Sequence, residues 1–275
     1  MKTMKNISKC LAAILLVVNL SSCVDLEPEP LSFFAPGNTF MDKEGLEALL
    51  ITSRKQIKWE WFGDAFNAGY CETPLVYEYA WSDVSVMGAP EVKEIHNLET
   101  QLTPTTSMAL HLRYWDLAWN GIKYANTVIS RVPKSTIDNE TDKNELLAEG
   151  YFHRAYWYYL LVNQWGDVPL LLEEITEPKL DFYTVSRMKI LQQMKTDMEF
   201  AVKWLPKNVK PGCVNRAAGE HLLAKIYLST GDFQLAVDAT TRCINDYGLH
   251  LMKERFGVNA EDASLDVFND LFQED

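Results

Sequence analysis

Cysteine is scarce in this 275-residue chain: five occur, and the three beyond Cys23 (Cys71, Cys213 and Cys243) are far apart and odd in number. Such spacing supports neither a disulfide framework nor a zinc site. The five histidines (His96, His111, His153, His221, His250) form no HxH or HxxxH pair, and no serine sits in a GxSxG elbow. A metal site and a hydrolase nucleophile are both unsupported. Adjacent acids such as Glu173-Glu174 and Glu261-Asp262 read as solvated pairs, not as the inward carboxylates of a glycosidase cleft. Positive charge is short as well: 26 Lys and Arg face 38 Asp and Glu, a formal charge of −12. No Lys/Arg cluster interleaved with aromatics overrides that sign, so a nucleic-acid partner is excluded and membrane binding through a basic patch is disfavoured. The expectation is a protein that is not an enzyme and uses no cofactor or metal.

What the chain has in quantity is apolar and aromatic surface, 47% and 12% of its residues, enough for a substantial core. The exception to its scattered apolar pattern is at the start. Lys2, Lys5 and Lys9 precede a largely apolar run from Cys10 to Leu20, which is a secretory leader too short to span a membrane. Leu20-Ser21-Ser22-Cys23 then fits a bacterial lipobox. Residues 1–22 are therefore expected to be a removable signal peptide, with Cys23 the lipidated first residue of the mature protein. Several acyl chains hold firmly, since each buried CH₂ contributes ~0.8 kcal/mol. Residues 23–38, containing Val24-Asp25-Leu26-Glu27-Pro28-Glu29-Pro30, read as an acidic, proline-rich tether. Loss of three leader lysines and no acid brings the body from −12 to −15.

From residue 39 to 275 the pattern is helical. A first helix is predicted over 39–58, capped by Thr39 or Asp42, with Leu46, Leu49, Leu50 and Ile57 inward. A second is predicted over 107–132, with Leu110, Trp115, Trp119, Ile122, Ala125, Ile129 and Val132 on one stripe, ending before Pro133. A third spans 145–164: Leu147, Ala148, Tyr151, Phe152, Ala155, Tyr158, Tyr159 and Val162 share a face, and Gly166 and Pro169 stop it. A fourth covers 185–205 through Met188, Leu191, Met194, Met198, Ala201 and Trp204. Residues 215–247 carry tetratricopeptide spacing: Leu222, Leu223, Ala224 and Tyr227, a Gly231-Asp232 turn, then Ala236, Ala239, Cys243 and Ile244. The fold class predicted is all-α, with tetratricopeptide-like hairpins over 107–247 stacked in a superhelix. Residues 59–104 interrupt it as an irregular, loop-rich and aromatic insertion, a length of loop that is uncommon without a function. Asn126, polar within an apolar stripe, is read as a hydrogen-bonding bridge between helices rather than a ligand contact.

Two segments carry a family resemblance. LAEGYFHRAYWYYLLVNQWGDVPLLL (147–172) is similar to the helix of SusD/RagB-family lipoproteins, which typically reads AExRFLRAYxYFxLVxxFGDVPL, through Glu149, Arg154, Ala155, Tyr156, Leu161, Val162, Gly166, Asp167, Val168 and Pro169. RYWDLAWNGIKYANTVISRV resembles the family's W-x-x-x-Y-x-x-I-x-x-A-N-x-x-I segment through Trp115, Trp119, Ile122, Ala125, Asn126 and Ile129. Residues 266–275 resemble the stretch that leads into the family's large C-terminal half, so the chain reads as its N-terminal, repeat-bearing part.

The resemblance implies a lipid-anchored protein on the outer face of a bacterial outer membrane. It would hold an oligosaccharide and pass it to a SusC-like TonB-dependent transporter. Sugars present apolar C–H faces to aromatic rings and hydroxyls to polar neighbours, and the family's aromatic arc lies on loops outside the repeats. The corresponding zone here is 59–104, where Trp81 with Asp83 is the first candidate ligand contact and Tyr70, Tyr77 and Tyr79 follow; each ring has core packing as its alternative. A tetratricopeptide scaffold lipoprotein for protein assembly is the alternative function, against which the 59–104 insertion argues.

Overall fold

The computed structural model describes residues 41–62, 109–258, 260–264 and 266–270, all within one unit of the chain. Among the described residues six longer helices follow in order: α1 (Lys43–Phe62), α2 (Ala109–Arg131), α3 (Glu140–Gln164), α4 (Arg187–Trp204), α5 (Arg216–Thr230) and α6 (Phe233–Asn245), with a short α7 (Val267–Asp270) after them. The described strands are β1 (Val168–Pro169) and β2 (Thr184–Val185), paired antiparallel with Val168 opposite Val185. The all-α class holds.

The helix ends follow local chemistry. Asp42 accepts the Gly45 N–H at 2.8 Å and Asn139 the Thr141 N–H at 2.9 Å, each satisfying a donor that the first turn leaves unpaired. Glu140 and Asp142 add negative charge at the start of α3, where the helix dipole favours it. Pro133 cannot continue α2, and Val132–Lys134 closes as one 3₁₀ turn. Asn215 accepts the Ala218 N–H at 2.8 Å to start α5. Gly231, at φ 83°, ends it in the left-handed region open to glycine.

α3 is the hub. It packs against α1 and α2 on one side and α4 on the other, and α4–α5–α6 continue the stack. Leu161, Val162, Ile190, Met194, Leu223 and Ala239 belong to one continuous core. Leu46, Leu50, Val128, Val132, Ile137 and Leu146 form a smaller one where α1 meets α2 and α3. The stack of hairpins is of tetratricopeptide type, with small residues at the crossings. A Cβ on Gly219 would lie 2.8 Å from Leu205 Cδ1, and one on Gly121 would lie 2.0 Å from Trp157 Nε1.

Several boundaries and faces differ from the sequence expectation. α3 starts at Glu140, five residues before the predicted 145, because Asn139 caps it. It is also buried nearly all round, enclosing Glu149, His153, Arg154 and Trp157 beside Ala148, Phe152, Ala155, Tyr158 and Val162 of the expected stripe, since a central helix has neighbours on several sides; Leu147, Tyr151 and Tyr159 of that stripe are half-buried. α1 runs to Phe62, so residues 59–62 belong to a helix and not to the predicted loop zone. α4 begins at Arg187 because residues 184–185 pair with β1. Met188 is 47% exposed and Ile244 66% exposed; α6 buries Ala236 and Ala239 instead. Cys243 is only partly buried, its sulfur 3.6 Å from the Ala217 carbonyl oxygen. Leu110 and Thr39 lie outside the residues whose side chains are described.

α1 joins α3 through a polar seam. The Arg54 guanidinium donates to both carboxylate oxygens of Glu149, at 2.5 and 2.8 Å. The hydroxyls of Tyr114 and Tyr156 donate to Glu60 at 3.2 and 2.6 Å. His153, fully buried, brings Nε2 to 3.5 Å from Glu149 Oε1, and neither of its ring nitrogens has a hydrogen-bond partner among the described residues. Burial pushes the Glu149 carboxyl up, but His153 and Arg54 together more than offset it and hold it below the usual range. A carboxyl depressed in the folded state stabilises the fold fully above its unfolded value of about 4.3. That contribution is lost as pH falls through the lower folded value. Urea midpoints should therefore drop on acidification below about pH 4.3, and Glu149→Gln should give a lower midpoint at pH 7 with a shallower acid slope. An unchanged slope in the variant would assign the acid sensitivity elsewhere.

Candidate functional site

The chain leaving α3 is held by a set of buried polar contacts. Gly166, at φ 75°, turns the backbone, and Asp167 Oδ1 accepts the Arg187 N–H at 2.8 Å, so one side chain ends the turn and starts α4. Arg154 is the centre of the arrangement. It makes a two-pronged pair with Asp197 of α4 (2.8 and 2.9 Å) and donates from Nη1 to Asn126 Oδ1 (3.1 Å) and to the Leu172 carbonyl (2.8 Å). Arg154 and Asp197 are each only 3% exposed. Gln193 adds a third donor to Asp197 at 3.0 Å.

Asn126 completes the bridge by donating from Nδ2 to the Leu171 carbonyl at 2.9 Å. Both ends of its amide are thus engaged, as the sequence reading of a helix-bridging role expects. The Tyr158 hydroxyl accepts the Leu171 N–H at 2.6 Å, and burial pushes its phenol up, keeping the group protonated. Further along, Ser130 Oγ accepts the Glu174 N–H at 2.9 Å, and Arg131 clasps the Glu174 carboxylate at 3.0 and 2.6 Å. Glu174 is therefore ion-paired and partly buried, which corrects its reading as a solvated acid; Glu173 remains exposed. An irregular segment cannot leave its backbone groups unpaired against a core, and α2 and α3 supply these partners from their side chains.

Between the pinned segment and α2 lies a cleft of about 630 Å³. Trp115, Trp119, Ile122, Lys123, Asn126 and Thr127 line it from α2, and Pro169, Leu171, Glu173, Glu174, Ile175 and Phe182 from the opposite wall. Its aromatic side is braced: Trp115 meets Trp119 edge-on at 5.4 Å and Trp165 at 5.3 Å, and Trp119 meets Tyr158 at 6.1 Å. Such a surface offers ring faces and few polar groups. It suits a ligand with apolar faces. Among the described residues no His/Cys/Asp/Glu group could hold a metal ion, and no described helix is long and apolar enough to cross a membrane.

The sequence candidates Trp81, Asp83, Tyr70, Tyr77 and Tyr79, and the lipidation candidate Cys23, lie outside the described residues. The Arg154–Asp197 pair and the cleft went unrecognised in the sequence. A signal existed for the first: an arginine embedded in an aromatic helix needs a buried anion, and Asp197 interrupts the apolar side of α4.

Stacked hairpins with a segment pinned across them place the molecule among tetratricopeptide-type helical proteins. The particular family follows from comparison. Residues 71–228 match the model of the SusD-like family described as starch-binding, associating with the outer membrane, and the chain belongs to that family. It is 26% identical over 93% of its length to SusD-like protein P2 of Formosa agariphila, of which it covers 48%. It is 28% identical over 49% of its length to a SusD-like protein of Bacteroides ovatus, of which it covers 28%. The chain thus spans about half the length of the first of these relatives. Among solved structures, a SusD superfamily protein of Bacteroides vulgatus superposes with a TM-score of 0.65 at 19% identity, covering 78% of this chain and 46% of that one. A laminarin-binding SusD-like protein gives 0.61 at 20% identity, covering 76% and 46%. At those identities the structures establish the fold.

Proposed function

We propose that this protein is a cell-surface nutrient-binding lipoprotein that captures oligosaccharides and delivers them, unaltered, to a SusC-like TonB-dependent transporter. The observation that carries this reading is the family match over residues 71–228, which takes in both the aromatic stretch around Trp81 and the Arg154 clamp. Residues 1–22 act as the leader, Cys23 carries the lipid, and residues 23–38 hold the body away from the outer membrane, facing outward. Trp81 with Asp83 is the principal glycan contact, with Tyr70, Tyr77 and Tyr79 around it. Stacking rings and a carboxylate match the two faces of a sugar, while the scattered histidines and paired acids offer no hydrolytic chemistry. The laminarin-binding fold neighbour is in keeping with a glycan as ligand.

The test has two arms. Cys23→Ala should move the protein from the outer-membrane to the soluble fraction and abolish co-purification with a TonB-dependent transporter. Trp81→Ala should weaken binding of the cognate oligosaccharide by about tenfold or more, the loss of roughly 1.4 kcal/mol, measured by calorimetry on the mature chain. A Cys23→Ala protein that stays membrane-bound would refute the anchor, and a barrel-assembly complex in place of a transporter would favour the scaffold function.

A further inference from the structure

The charged groups around the cleft are almost all committed. Arg131 holds Glu174, Arg154 holds Asp197, and Asn126 spends both amide ends on the clamp. Two groups on the lining differ. Lys123 is exposed on α2 and has no carboxylate partner among the described residues, its ammonium lying 5.8 Å from the ring centre of Tyr124. Glu173 is exposed on the facing segment and makes no hydrogen bond or ion pair among the described residues. Between them the lining is aromatic and aliphatic, and Phe182 keeps 43% of its surface open.

From this arrangement we infer that the cleft is a carbohydrate-contact site, seating a short neutral oligosaccharide on residues 115–182. The inference rests on the reading of the protein as a glycan binder and adds to it a place and a ligand class. Successive pyranoses lay their C–H faces against Trp115 and Phe182, while their hydroxyls donate to the Glu173 carboxylate and accept from the Lys123 ammonium. A plain hydrocarbon would leave both charges without use. A polyuronate or sulfated chain would meet Glu173 on a body already strongly acidic. Of these three, a neutral sugar offers both an apolar face and hydroxyls able to donate and accept without bringing further negative charge. The volume lies within the roughly 300–1,000 Å³ of small-ligand sites. The clamp keeps the far wall in place before ligand arrives, so little ordering cost remains at binding.

The test uses calorimetry on the mature chain with starch-, laminarin- and xyloglucan-derived oligosaccharides and an oligogalacturonate as the anionic comparison. Phe182→Ala, and separately the double variant Lys123→Met with Glu173→Gln, should each weaken the neutral ligand by about tenfold with an unchanged melting temperature, these side chains being exposed. Glu173→Gln alone should narrow the gap between neutral and anionic ligands. Neutral affinities within twofold of wild type in both cleft variants, with Trp81→Ala still impaired, would overturn the cleft and leave glycan capture standing. Wild-type protein that binds no oligosaccharide would overturn both. Cleft variants that keep glycan affinity but lose transporter co-purification would reassign the cleft to protein docking.

Discussion

Arg154→Ala should destabilise the protein by about 3–5 kcal/mol, because it strands Asp197 as a buried, uncompensated charge. It also removes donors from Asn126 and from the Leu172 carbonyl, which no water can readily replace where Arg154 is 3% exposed. The pair is not predicted to contribute that much by its mere presence. Desolvating two charges offsets most of their attraction, so Arg154→Met combined with Asp197→Leu should recover a large part of the loss. Guanidinium unfolding of wild type, single and double variants measures the difference. A double variant as unstable as the single one would mean that the guanidinium's contacts to the exit segment, and not the buried charge, dominate.

Gly121→Ala is the second large effect, expected to cost about 3 kcal/mol or more through overpacking. The new methyl carbon would meet the Trp157 ring at 2.0 Å from Nε1 and 2.2 Å from Cδ1. Trp157 is fully buried and cannot swing aside. Elsewhere in a helix the same substitution stabilises by roughly 0.5–1 kcal/mol, so the sign of the effect reports the contact. In a Trp157→Leu background Gly121→Ala should be neutral or stabilising. If it is equally harmful there, α2 and α3 are not packed ring-on-backbone as described.

Both sites show where a linear reading succeeds and where it stops. The end of α3 is legible because its signals are local: Gly166 takes the left-handed turn at φ 75° and Pro169 cannot continue a helix. The hairpin of α5 and α6 is legible for the same reason, with Asn215 at its start, Gly231 at its turn and small residues setting its crossings. The other half of α3 was hidden. Periodicity separates one buried face from one exposed face, and a helix enclosed on several sides has no such contrast. Glu149, His153, Arg154 and Trp157 therefore lie outside the stripe that periodicity marks. Arg154 meets Asn126 and Asp197 across 28 and 43 residues of chain, a pairing no local spacing encodes. Its presence in the family signature marks it, but the clamp is a property of the folded segment. Met188 and Ile244 failed in the opposite way: both sit at helix-spaced positions, yet the neighbouring helices do not reach that side. The cleft was illegible because half of its lining is an irregular segment whose path is set by Arg154, Tyr158 and Arg131 from afar.

The proposed function and the proposed cleft site make one claim in common, that this chain holds neutral glycans without altering them. Electrophoresis of the mature protein through native gels containing starch, laminarin or xyloglucan tests it directly, with reducing ends assayed in the same samples. The account predicts retardation by at least one polysaccharide, weaker in Trp81→Ala and in Phe182→Ala, and no rise in reducing ends. Migration unchanged in all three gels, or release of reducing sugar, would contradict it.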